Sequence, residues 1–429
     1  MTRLGLALVL VLSMSVGWLL TPAADAQATF TVVASGLTTP RGMTFGPDGK
    51  LYVAEAGSGG DEQSAWVPPF LTAKIGNTGR IVRIDGSEKT VIASGFQSVA
   101  LGPGAETVGV DDLAFSGSTL YAVVGQMDAL PTGKETFSLL VKVGMDGKVE
   151  TVADLGKYER DNNPDQTVPD SNPFGIAIGP DGNIYVADAG GNDVLKVTPS
   201  GQISTFAVWK DNAVPTSIAF DKMGRAHAAF LTGAPFPSGG SRAERIDGSS
   251  TSVIARSLTA VTDIKFGPDG LPYVLEHATS WGGGPPPTFA ANTGRVLKIT
   301  PEGNQVMVAG LNSPTKMTFG PDGALYIANN SSDVPAGQGQ IVKATLPTSG
   351  PVATVPSAPA AQPSPAAQPS PAAKPAGAAS PVASPAPAQA PSSLPRTGMA
   401  LDLVGAAGPV AIAGGALLLL GAGLLRRRR

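Results

Sequence analysis

Four carboxylates, Glu55, Asp112, Asp263 and Glu276, are the side chains in this sequence whose type and placement suggest chemistry. Glu55 and Glu276 each close a β-type run, LYVAE and PYVLE, whereas Asp112 and Asp263 each sit at the start of one, VDDLAF and VTDIKF. Carboxylate oxygens suit a hard cation such as Ca²⁺, which takes carboxylate, amide and backbone oxygens. The four positions fall into columns of a repeated unit. At the end of the second run the column reads Glu55, Val124, Asp188, Phe230, Glu276 and Asn329; near the start of the first it reads Gly42, Asp112, Gly175, Ser217, Asp263 and Lys316. A ring of oxygen donors is one reading. The other is structural, because Asp and Asn at such points commonly bond the backbone of the following turn. Both readings stand for Glu55 and Glu276, and the structural one is preferred for Asp188, which leads into Ala-Gly-Gly-Asn192.

Three further features carry polar chemistry. The insert Lys157 to Asn172, KYERDNNPDQTVPDSN, is the most polar loop of the body and either coordinates a cation or forms a solvated turn; its spacing fits no EF-hand. His227 occupies the place held elsewhere by tyrosine, which favours packing. His277 follows Glu276 and is a candidate acid or base.

The elements that position these residues recur. Ser171 to Ala207 contains four short β-type runs, FGIAI, NIYVADA, DVLKVT and QISTFA, separated by GPDG, AGGN and PSG, the turn chemistry of a tight antiparallel meander. The same unit starts again at Arg41, Val110, Thr216, Thr262 and Thr315. One meander cannot bury its own faces, so stacking of repeats is required. The last unit has only three runs, and the orphan run Thr29 to Ala34 supplies the fourth. The expected fold is all-β, a six-bladed β-propeller over residues 27–346, closed by its N-terminal strand; its repeats resemble those of NHL/TolB-like propellers. Successive connections of a meander alternate between two faces. The inserts Ala56 to Gly79, Phe96 to Gly109, Gly125 to Phe137, Gly156 to Asn172, Thr232 to Gly240, Ala278 to Thr293 and Ser331 to Gly339 therefore all fall on one face. Two of them carry aromatic, proline-rich tips at Trp66 and Trp281.

Composition narrows the partners. A net charge of -3 offers no basic surface for nucleic acid, and the absence of cysteine excludes disulfides and thiolate chemistry. Residues 1–26 pair Arg3 with an apolar run and end on Ala24-Asp25-Ala26, the pattern of a secretory signal. Residues 347–393 are a Pro/Ala/Ser tract, expected to be a disordered, extended stalk. Residues 394–429 combine Leu394-Pro395-Arg396-Thr397-Gly398, an apolar stretch over residues 403–425 long enough for a transmembrane helix, and a terminal arginine cluster. This tail resembles an LPXTG-type sorting signal. The resemblance implies cleavage by a sortase after Thr397 and linkage of Thr397 to cell-wall peptidoglycan; the alternative is a permanent single-pass anchor. Either arrangement makes the body extracellular.

The segments YERDNNPDQTVPDSNPFGIAIGPDGNIYVADAGGN, GLTTPRGMTFGPDGKLYVAE and GLNSPTKMTFGPDGALYIAN together resemble the ScyD/ScyE family of secreted NHL-like β-propellers, over about Thr29 to Ala344. The family implies the fold and no settled activity or catalytic residues. More distantly, the six-bladed form is similar to gluconolactonase- and paraoxonase-type hydrolases, whose axial metal is held by Glu, Asn and Asp; Glu55 matches an early acidic ligand only loosely. The leading expectation is a non-catalytic binding or scaffold protein that presents its looped face to an extracellular ligand or partner. The alternative is a metal-dependent hydrolase or lactonase using Glu55, Asp112, Asp263 and Glu276, with Ca²⁺ as the candidate ion.

Overall fold

Short runs of β-branched and aromatic residues, broken by Asp-Gly turns, can satisfy their backbone groups only by pairing with the next run. The computed structural model describes residues 29–63, 73–100, 107–125, 137–233, 236–280, 289–332, 334–346 and 354–355. Within them the runs form six antiparallel sheets. Blade one comprises Pro40–Phe45, Leu51–Glu55, Lys74–Asp85 and Glu88–Ala100; blade two Val110–Ser116, Thr119–Val124, Leu139–Val143 and Val149–Asp154. Blade three is Pro173–Ile178, Ile184–Asp188, Asp193–Val197 and Ile203–Val208, and blade four Pro215–Phe220, Ala226–Phe230, Ser241–Asp247 and Ser250–Leu258. Blade five is Val261–Phe266, Pro272–Glu276, Gly294–Thr300 and Gly303–Leu311. Blade six is Met317–Phe319, Leu325–Asn329 and Gly339–Ala344, completed by the N-terminal strand Phe30–Leu37. The innermost strands neighbour one another in cyclic order, the last against the first, so the six sheets form a closed propeller.

The closing strand is antiparallel to Gly339–Ala344, from Phe30 opposite Ala344 to Leu37 opposite Gly339. Leu37 is fully buried with Met43, Val53 and Ile341, which joins blade six to blade one.

The Gly-Pro-Asp-Gly turns do more than reverse the chain. In four blades the turn aspartate accepts a bond from the tyrosine four residues on: Tyr52 to Asp48, Tyr185 to Asp181, Tyr273 to Asp269 and Tyr326 to Asp322, at 3.0–3.1 Å. Each tyrosine ring then meets edge-on the phenylalanine of the neighbouring blade's innermost strand, as in Tyr52–Phe115, Tyr185–Phe220, Tyr273–Phe319 and, across the closure, Tyr326–Phe45. His227 takes the same place in blade four, edge-on to Phe266 at 4.8 Å, and so packs between blades.

Three of the expected inserts, and the expected stalk, contain regular structure. Blade one's third and fourth strands continue past the sheet as a long hairpin, with Lys74 opposite Ala100, which Glu62–Gln63 and Thr107–Val108 extend. The polar insert begins as a helix, α1 (Leu155–Asn162), capped by the Asp154 side chain on the Lys157 amide and ended by Asn163 in the left-handed region. Thr354–Val355, from the Pro/Ala/Ser tract, pairs with Asn304 and Gln305 at the outer edge of blade five. The signal segment, the rest of the tract, the Leu394 to Gly398 motif, the 403–425 stretch, Trp66 and Trp281 lie outside the described residues. Among the described residues no helix is long and apolar enough to cross a membrane.

Candidate functional site

A single irregularity, repeated in every blade, builds the axis. At the start of five innermost strands one extra residue is inserted: Pro173 faces Asp188 but Gly175 faces Ala187, and the same slip occurs at Pro40/Met43, Val110/Asp112, Pro215/Ser217 and Val261/Asp263. In blade six Thr315 and Lys316 both bond Ala328. Such a bulge sets two residues opposite one and re-aims their side chains. A second column, Arg41, Asp111, Phe174, Thr216, Thr262 and Thr315, therefore joins the Gly42, Asp112, Gly175, Ser217, Asp263, Lys316 column at the axis.

These columns hold a buried charge network. The Lys316 ammonium reaches three other blades: it donates to the Thr216 carbonyl at 2.7 Å, lies 3.7 Å from Asp112 Oδ2 and sits 4.6 Å from the centre of the Phe174 ring. Gly175 makes room for it, since a Cβ there would stand 3.3 Å from Nζ. Asp263 accepts from Ser217 Oγ at 2.6 Å, from the Met317 amide at 2.8 Å and from its neighbour Lys265 at 3.1 Å. Asp112 accepts from the Ile176 and Leu113 amides. Arg41 pairs with Asp111 at 3.6 Å and donates to the Thr107 carbonyl. Burial, opposed by the Arg41 and Lys316 cations, pushes the Asp111 carboxyl up to about 7. Burial also raises Asp112 and lowers Lys316. Three carboxylates thus meet three cations, and each acid bridges neighbouring blades. On the side of the tight turns the channel widens into an open cavity of about 340 Å³ of mixed polarity, lined by Ile178, Ala219, Phe266 and Phe319 together with Thr318 and the cation Lys265.

Glu55 and Glu276 stand in their own blades. Glu55 accepts from the Thr38 amide and is bidentate to Arg80, directly opposite on the third strand. Glu276 accepts from the Thr259 amide and from Arg295, again directly opposite. Asp188 accepts from the Asn172, Gly190 and Gly191 amides and Ser171 Oγ, and Asn329 from the Asn312 amide. Four members of this column thus share one structural role, tying the segment that enters each blade to the end of its second strand. The structure brings Asp112 and Asp263 together around Lys316, and it gives Glu55 and Glu276 to arginines. Among the described residues no group of three or more His, Asp or Glu is set to hold a metal ion.

His277 is buried, with Nδ1 2.9 Å from the Pro314 carbonyl and Nε2 3.3 Å from Ser332 Oγ. A carbonyl only accepts, so Nδ1 carries the proton and Nε2 accepts from the serine. Burial holds this imidazole down to about 4. Its native value lies below the unfolded value near 6.5, so its contribution to stability is complete above that pH and is lost as the pH falls toward 4. Between these limits the loss is expected to be roughly 3 kcal/mol. Urea melts of the parent and of His277→Gln at pH 7.5 and 4.5 measure it, the variant losing less; equal losses in both would remove His277 from the account.

The fold defines the class as a closed six-bladed β-propeller, and comparison with known structures agrees with the fold. No protein-family model matches the chain, and no curated protein matches it by sequence. Among solved structures it is similar to an oxidoreductase described as a glucose dehydrogenase from Thermus thermophilus, at 16% identity over 74% of this chain and all of that one, TM-score 0.51. It is also similar to the PQQ-bound aldose sugar dehydrogenase of Streptomyces coelicolor, at 14% identity over 76% of this chain and 100% of that one, TM-score 0.49. A structure described as a gluconolactonase matches at 14% identity over 75% of this chain and 94% of that one, TM-score 0.44. At such identities the first likeness concerns the fold alone.

Reading the sequence as strict alternation misses Arg41 and Asp111, although each precedes a member of the axial column. It also misses the residues opposite the second-strand column, Arg80, Asp193, Arg242, Arg295 and Gln340, which aligning the third strands would reveal.

Proposed function

We propose that the protein is a cell-surface-anchored, ScyD/ScyE-like propeller whose looped face binds an extracellular ligand or partner without catalysing a reaction. In this reading residues 1–26 direct export, the 347–393 tract is the spacer, and a sortase joins Thr397 to peptidoglycan. The observation that carries it is the asymmetry of the two faces. On one, no connection within a blade exceeds the five residues from Gly46 to Lys50; on the other lie the long inserts, braced by Glu55, Asp188, Glu276 and Asn329. The acids that would serve a hydrolase are occupied by arginine, lysine and backbone amides.

The test is retention of cell-wall fragments, surface polysaccharides and surface proteins on the immobilised full chain. Retention is expected, and it should be lost when residues 232–240 are replaced by a Gly-Ser linker. Lactone hydrolysis that requires added metal and disappears in Asp263→Asn would overturn the reading in favour of a metal-dependent hydrolase.

A further inference from the structure

We propose that the rim of blade three binds a calcium ion between Asp188, Asp193 and Glu159, above Gly191. Blade three departs from the others at one level, where the second and third strands face each other. Side chains directly opposite in an antiparallel pair are close neighbours, and like charges there repel. Blades one and five place Glu55 opposite Arg80 and Glu276 opposite Arg295; blade four places Phe230 opposite Arg242, whose guanidinium lies 4.7 Å from the ring centre. Blade six has Asn329 opposite Gln340, and blade two Val124 opposite Leu139. Each pair is complementary. Blade three sets Asp188 opposite Asp193. Where three other blades supply an arginine, this one supplies a second carboxylate.

The second observation is Asp193 itself. It is 0% exposed, and neither carboxylate oxygen has a hydrogen-bond partner among the described residues. Asp188, Glu159 and Asp165 act on it from nearby, and they add to burial in raising its carboxyl well above the usual range. A buried anion of this kind is stable only when a cation or a proton neutralises it.

The geometry favours a cation. A Cβ on Gly191 would lie 3.2 Å from Glu159 Oε2, 3.4 Å from Asp193 Oδ1 and 3.5 Å from Asp188 Cγ. Three carboxylate side chains thus surround one point that glycine leaves open. They are not drawn in to ligand distance. Calcium–oxygen bonds are about 2.3–2.6 Å, so Glu159 and Asp193 close by roughly 1 Å. Asp188, whose Cγ is its nearest atom and whose oxygens also accept from the Ser171 hydroxyl and three amides, shares one oxygen with the ion. Calcium's flexible, oxygen-only coordination takes water for the remainder. The ion would fasten α1, and with it the polar insert, to the Asp188–Asp193 hairpin. This site is separate from the axis and does not depend on the function proposed above.

Calcium titration of the chelator-treated full chain, by calorimetry and by thermal melting at pH 7.5, tests the proposal. One ion is expected to bind and to raise the melting temperature. Asp193→Asn should lose that response, yet melt above the parent in chelator because the repulsion is gone. Gly191→Ala removes no ligand and needs no left-handed backbone, but it fills the hollow and should weaken binding at least about tenfold. Melting of the parent that ignores calcium, or a calcium response unchanged in both variants, would overturn the site. So would a melting temperature that rises on acidification with no calcium response, since the carboxylates would then share protons.

Discussion

Lys316→Met is expected to lower stability at pH 7 by about 3–5 kcal/mol, because removing one partner of a buried ionic network leaves the other charge uncompensated. The methionine fills much of the same space, so the effect is electrostatic. Asp112 and Asp263 lie around this ammonium, and the charge of Asp263 adds to the burden on Asp112. Lys265 remains, but it is bonded to Asp263. The loss should depend on pH in a determined direction. In the variant the native Asp112 carboxyl rises further above its unfolded value, so the deficit is largest at neutral pH and shrinks as the pH falls toward the unfolded value near 4. Asp112→Asn added to the variant should restore part of the loss at pH 7. Urea unfolding of the two single variants and the double variant measures the coupling. A loss below about 1 kcal/mol for Lys316→Met would show that the axis does not need its lysine.

A chain lacking residues 29–37 should lose cooperative folding altogether. The strand Phe30–Leu37 contributes buried Leu37 and the whole outer ladder of blade six, and without it Gly339–Ala344 becomes a bare edge. The deletion thus removes a ladder, separates blade six from blade one at Leu37, and exposes strand groups prone to pairing with other chains. Size-exclusion chromatography should show aggregates in place of a single folded species, and a peptide of residues 29–38 added during refolding should recover part of it. Cooperative melting within about 5 °C of the parent would mean that the ring holds without its clasp.

Most of the architecture is written locally. Asp48, Asp181, Asp269 and Asp322 sit in Asp-Gly turns that reverse the chain wherever they occur, and the orphan run before Ser35 announces closure. The axis is less legible, for a physical reason. Alternation along a strand would send Arg41 and Asp111 away from the channel, and only the extra residue at the bulge brings them beside Gly42 and Asp112. Glu55 and Glu276 resemble free oxygen donors in the sequence because their arginines lie 25 and 19 positions further on, a pairing set by hairpin register. Helix α1 has little apolar face, with Leu155, Gly156 and Glu159 as its buried residues, so periodicity gives no sign of it.

The closing strand also decides how the disc carries force. Gly339–Ala344 is the last blade strand before the chain runs on beyond Leu346, and it is hydrogen-bonded on both edges, to Leu325–Asn329 and to Phe30–Leu37. Once the two-residue pairing of Thr354–Val355 with blade five has parted, tension applied farther along the chain therefore pulls on an interior strand and is shared by two ladders at once. A propeller closed the other way, with its C-terminal strand outermost, would have a single ladder to resist the same pull.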